Sequence, residues 1–180
     1  MKTEYLLNRE VERVLAAMMP SNRLVCKVSL HTGLRIGDVL RLKPEQLKEQ
    51  FWIVEQKTGK RRRVGLTREL LNELKMQASA DWVFPHRTNL LKHRTRQAVY
   101  ADVKRAAKAF RLPQNVAPHS FRKKYAVNLM DKYGDIERVK RALNHNSVAT
   151  TVIYALSDRL LEARQRGKRK MGVDKQIGLW

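Results

Sequence analysis

Cysteine is almost missing from this chain: Cys26 is the only one in 180 residues. A single thiol has nothing within the chain to pair with, which excludes a disulfide framework and a cysteine zinc site and predicts an intracellular setting. No apolar run is long enough to cross a bilayer, so no membrane span is expected. The first residues, MKTEYLLNREVERV, carry acids where a secretory signal needs an apolar stretch. There is no internal repeat and no low-complexity segment. No P-loop pattern occurs and no convincing cluster of metal ligands, so neither ATP nor a metal cofactor is expected.

Acid is scarce relative to base. Seventeen Asp and Glu stand against 38 Lys and Arg, a net charge of +21 and a pI near 10.7. Such an imbalance belongs to proteins that neutralise phosphates, and it points to nucleic acid as the partner. Charge identifies the partner class and says nothing about chemistry. With 43% hydrophobic residues, the chain is rich enough in apolar side chains for one folded domain and short for two.

Apolar periodicity outlines the elements. NREVERVLAAMM spaces Val11, Val14, Leu15 and Met18 as one helical face, with Asn8 as the expected N-cap and Pro20 at the end. A second helix is expected from Asn22 to His31, stopping at Gly33, and a short third from Ile36 to Leu42, before Pro44. FWIVEQ reads as a strand, KTGK as a turn and RRRVGL as the return strand, giving a β-hairpin with its tip at Lys57 to Lys60. TRELLNELKMQA starts at a Thr cap, and Val99, Val103, Ala106 and Phe110 form the buried stripe of a helix from about Thr95 to Phe110. Pro113 and Pro118 bound a loop, after which a helix begins at His119. Further helices are expected at Ile136 to Leu143 and Ser157 to Gln165. The fold class is therefore mainly α with a small antiparallel hairpin.

Chemistry-bearing residues are harder to isolate in a chain with 21 Arg and 5 His. Composition alone would produce roughly 0.6 His-x-x-Arg pairs. Two occur, at His93/Arg96 and His119/Arg122. The first has no chemical partner nearby in sequence and reads as surface. The second sits at a helix start, where one turn of spacing lets both side chains face one site and where free N–H groups favour an anion. Arg35 follows the turn in HTGLR, although taken alone it reads as a backbone or surface contact. Lys57 taken alone is a solvated turn lysine. RALNHNSVATTVIYAL holds His145 and Tyr154 on a segment whose propensities fit a strand as well as a helix.

The order of these residues is more specific than any one of them. A TGLR turn with Arg35, a hairpin lysine Lys57, the HSFR box with His119 and Arg122, the LNH box with His145, and then Tyr154 together resemble the tyrosine recombinase family, the phage-integrase type of DNA strand transferase. The resemblance runs from about Asn8 to Leu156. It implies the catalytic-domain fold of that family and a site-specific recombinase that cleaves and rejoins strands through a 3′-phosphotyrosine on Tyr154. Arg35, Arg122 and His145 would bind the scissile phosphate, His119 would take a proton and Lys57 would give one. Asp38 stands where the family usually has a supporting acid. Two departures are Asn144, where glycine is usual, and Lys123, where many relatives have histidine.

The same resemblance implies a catalytic domain over residues 1–166 and a basic tail over 167–180. That tail ends in Ile177, Leu179 and Trp180, which either dock on a neighbouring protomer or fray. No N-terminal core-binding domain is expected in this length of chain. The implied partner is double-stranded DNA, bound by a dimer to tetramer of the chain, with no membrane and a cytoplasmic, nucleoid-associated location. Two other readings compete: a non-catalytic DNA-binding or architectural protein, and a type IB topoisomerase-like strand cleavage.

Overall fold

Among the described residues, seven α-helices and one hairpin are laid out in the order α1 (Asn8–Ala17), α2 (Pro20–Thr32), α3 (Ile36–Leu40), β1 (Gln50–Val54), β2 (Arg61–Gly65), α4 (Arg68–Gln77), α5 (Arg96–Ala109), α6 (Pro118–Tyr133) and α7 (Ile136–Leu143). The computed structural model describes residues 6–143. His145, Tyr154, Asn144, the helix expected at Ser157 to Gln165 and the basic tail lie outside the described residues.

The element boundaries differ from the sequence expectation where proline and leucine behave locally. Asn8 is the first helical residue and not the cap. Leu7 caps α1, and its N–H is taken by the Glu10 carboxylate at 2.8 Å. Pro20 opens α2 as well as ending α1, because a ring with φ preset near −65° and no N–H fits the first helical position. Helix α3 stops at Leu40, two residues earlier than expected, and β1 stops at Val54, leaving Glu55 and Gln56 to the turn. Thr67 and Thr95 cap α4 and α5 by accepting from the amides of Leu70 and Ala98.

Helix α2 is the centre of the molecule. It packs against α1, α3, α4, α5 and α6, and Leu24, Val25, Cys26 and Val28 are all buried. Burial pushes the Cys26 thiol up, so it behaves as a small apolar group and not as a nucleophile. The hairpin covers one side of this core. Its antiparallel register pairs Phe51 with Val64 and Ile53 with Arg62, so Phe51, Ile53 and Val64 face inward while Trp52 and Val54 face solvent. A smaller cluster of Ala126, Val139 and Leu143 joins α6 to α7.

Polar contacts tie the ends of these helices. Asp102 on α5 is buried and accepts from the Met19 amide at 2.8 Å, from Asn22 Nδ2 at 2.9 Å and from Arg105 at 2.6 Å, clamping α5 to the start of α2. Burial alone would raise the Asp102 carboxyl, but the bonds from Asn22, Arg105 and Met19 hold it below its ordinary value. A depressed carboxyl stabilises the fold above its unfolded pKa and loses that contribution as pH falls through the folded value. Asp102→Asn is therefore expected to cost about 1–3 kcal/mol at neutral pH. The deficit should shrink on acidification below about pH 4, as measured by urea unfolding across pH.

Candidate active site

The turn between α2 and α3 begins the site. Helix α2 ends at Gly33 with φ of 68°, a left-handed cap that glycine adopts without strain. Ser29 Oγ donates to the Leu34 carbonyl at 2.7 Å and Thr32 Oγ1 donates to Val28 O at 2.7 Å, so the turn is held from within. It is also held from outside, because the Tyr125 ring lies against the face of Gly33 where a Cβ would stand. Arg35 is then the N-cap residue of α3 and projects from the start of that helix.

Helix α6 supplies the second wall. Pro118 occupies its first turn, followed by His119, and Arg122 comes one turn later. Arg122 is only 2% exposed. Its Nη1 donates to Gly33 O at 2.7 Å and its Nη2 to Leu143 O at 2.6 Å, so the HSFR arginine braces the TGLR turn and the end of α7 at once. Its Nε is buried and has no hydrogen-bond partner among the described residues. Burial lowers its pKa to about 10, assisted by the nearby charges of Arg35 and Arg62 and opposed by Glu55 and Asp38, so it remains charged at neutral pH.

Arg35, His119 and Arg122 line one cavity of 740 Å³ between α3, α5 and α6. His119 is exposed there. Arg96 and Tyr100 of α5 line it too. Arg96 is exposed, as a surface reading requires, but it faces this cavity. Of the other His-x-x-Arg pair only the arginine comes to the site: His93 turns away, its Nδ1 2.8 Å from Arg94 O and its ring edge-on to Trp82. Sequence reading took Arg96 as surface and missed Tyr100; the signal that could have raised them was their i, i+4 spacing on the face beside the buried stripe of α5.

Lys57 is exposed in the turn between β1 and β2. Asp38 is buried, and its Oδ1 accepts the Gln56 N–H at 3.0 Å, linking the arginine box to the residue just before Lys57. A second acid, Glu55, was not singled out from the sequence. It is completely buried, 2.7 Å from Arg35 Nη1 and 3.5 Å from Arg62 Nη1. Burial would raise its carboxyl, yet the Arg35 and Thr58 bonds hold it below the ordinary carboxylate range, so it is ionised. His145 and Tyr154 lie outside the described residues.

Arg35, Arg96 and Arg122 bring three cations to the lining of this cavity. The sequence matches the phage integrase family over residues 4–159. The chain belongs to that family. It is 29% identical over 155 residues to the integrase of Escherichia phage P2, covering 86% of this chain and 43% of that protein. It is 31% identical over 168 residues to the tyrosine recombinase XerD of Caulobacter vibrioides, covering 81% and 54%. The chain thus spans about half the length of these integrase-family relatives. Among solved structures, the catalytic domain of bacteriophage HP1 integrase superposes with a TM-score of 0.67 at 22% identity, over 86% of this chain and 88% of that one. The XerH recombinase in its post-cleavage complex with palindromic difH superposes with a TM-score of 0.72 at 26% identity, over 91% and 53%. The fold is that of a tyrosine recombinase catalytic domain.

Proposed function

We propose that this chain is the catalytic part of a site-specific DNA recombinase that cleaves and rejoins strands through a 3′-phosphotyrosine. The observation that carries this reading is the convergence on one cavity of Arg35 with His119 and Arg122, which lie more than eighty positions from it in sequence. Cleaving a phosphodiester needs charge neutralisation on the non-bridging oxygens, a nucleophile and a proton for the leaving oxygen.

Arg35 and Arg122 neutralise the scissile phosphate, and His145 adds a hydrogen bond to it. Tyr154 Oη attacks phosphorus, its proton passing to His119, while the bond from phosphorus to the 5′ oxygen breaks and Lys57 protonates that oxygen. Tyrosine's ordinary pKa is about 10, and a cationic cluster favours its ionised form. One ester replaces another, so the energy of the broken bond is kept for rejoining. Asp38 positions the lysine turn through Gln56. Similarity to the XerH recombinase bound to difH supports duplex DNA as the substrate. Assembly of two to four copies on that DNA would bring two strands together for exchange.

The test is a nicked suicide duplex cut from the genomic DNA that flanks the coding sequence. The expected product is an adduct that survives denaturation and whose linked peptide contains Tyr154. Attachment at another residue, or no adduct on any duplex that the protein binds, would move the DNA-binding reading ahead.

A further inference from the structure

Glu55 is the most deeply buried acid among the described residues, with no exposure at all. It follows β1 directly and closes the hairpin turn with its own backbone: its N–H donates to Lys60 O at 3.0 Å, and its carbonyl accepts the Gly59 N–H at 2.8 Å. Its side chain then does two further things. Oε2 accepts from Thr58 Oγ1 at 3.0 Å, on the residue after Lys57, and from Arg35 Nη1 at 2.7 Å.

A buried ion pair contributes little net stability, because the cost of desolvating both charges offsets their attraction, and a pair of apolar side chains would fill the space as well. Stability therefore does not explain a carboxylate here. Geometry does. Lys57 lies between Gln56, whose N–H is held by Asp38, and Thr58, whose hydroxyl is held by Glu55. Arg35 meets Glu55 through one amino group and still lines the cavity, its side chain 24% exposed. Arg62, on the return strand, completes the group at 3.5 Å and also donates to the Thr32 carbonyl beside the arginine turn.

We propose that Glu55 is a positioning residue that aims the Arg35 guanidinium into the cavity and, through Thr58, sets the turn carrying Lys57, so that the phosphate-binding and proton-donating groups are placed by one carboxylate. This rests on the reading of the cavity as a strand-cleavage site. It makes an unusual prediction about sign. The negative charge of Glu55 opposes a phosphate at Arg35, so removing it should favour binding, while the loss of aim should slow chemistry.

The experiment measures duplex affinity by fluorescence anisotropy and the adduct-formation rate on the nicked suicide duplex at saturating protein. Wild type, Glu55→Gln and Thr58→Val are compared. Glu55→Gln is expected to bind DNA about 2–5-fold more tightly at low salt and to form adduct about 100-fold more slowly. Thr58→Val, which leaves the Arg35 pair in place, is expected to slow adduct formation with affinity unchanged, and the double variant should be no slower than Glu55→Gln alone. Equal rates in wild type and Glu55→Gln would overturn the proposal, as would affinity and rate falling together. If Glu55→Gln does not fold, a wild-type rate in Thr58→Val overturns it alone. Absence of adduct in the wild type would instead remove the cleavage reading on which the proposal stands.

Discussion

Arg122→Lys is expected to fold, to lose about 1–3 kcal/mol of stability and to form covalent adduct about 10²–10³-fold more slowly. The guanidinium spans two carbonyls, Gly33 O at 2.7 Å and Leu143 O at 2.6 Å, in a setting only 2% exposed. An ammonium is a compact charge on a flexible stem, and it cannot reproduce a planar fork that meets both at once. One buried carbonyl is then left without a donor, and that unsatisfied group is the source of the lost stability. The same change keeps the positive charge but loses its fixed position and its planar fork in the cavity, where burial strengthens the effect of a well-placed cation on a developing charge. Arg122→Ala should be worse on both counts, since it leaves both carbonyls unpaired and a void behind them. Thermal unfolding together with single-turnover adduct formation separates the two effects. A lysine variant with the wild-type rate would remove Arg122 from the phosphate site.

Gly33→Ala carries the other large effect. The left-handed φ of 68° costs a side-chain-bearing residue about 1–2 kcal/mol. An added Cβ would also stand 2.3 Å from Tyr125 Cδ1, far inside contact distance, so the ring must move. Overpacking of that kind costs about 1–3 kcal/mol more. The expected total of about 2–5 kcal/mol corresponds to a melting point lower by about 5–15 °C in a domain of this size. Gly134 provides the comparison: its φ is 63°, but nothing lies within 4 Å of an added Cβ. Gly134→Ala should therefore cost only the backbone part, about 1–2 kcal/mol. Equal losses at the two glycines would mean that the Tyr125 contact contributes nothing.

The Gly33 variant should also slow cleavage, because the Gly33 carbonyl is the brace for Arg122 and the turn precedes Arg35. Function and stability meet in this turn. Tyr125 is half-buried against it, which pushes the phenol upward from its ordinary pKa against the opposing charges of Arg62 and Arg122. Tyr125 is thus a packing residue of the site.

Helix and strand identities were legible in the sequence because they depend on short-range pattern. The Val99, Val103, Ala106 stripe and the alternating Phe51, Ile53 face are properties of neighbours within a few residues, and local sterics are enough to express them; Phe110, expected in the same stripe, is exposed because it caps the end of α5. The candidate site was read from the sequence as an ordered set of motifs, through resemblance to a family, and the fold brings three of its residues, Arg35, His119 and Arg122, to one cavity. Boundaries were less legible. Pro20 suits both the end of one helix and the first turn of the next, and only the following chain direction decides between them.

What the sequence by itself determined is the inventory: a basic, mainly helical chain with one hairpin and a set of arginines, a lysine, histidines and a tyrosine in recombinase order. What only the tertiary structure decided is which charges meet. Glu55 reads along the chain as the polar end of a strand, yet it becomes the buried partner of Arg35, twenty positions away. Arg96 reads as surface, yet it joins the cavity. Arg122 reads as a phosphate ligand, yet both of its amino groups are also braces between segments 89 and 21 positions distant. Such pairings have no local signature, because the side chain that satisfies a buried charge is chosen by how whole helices pack.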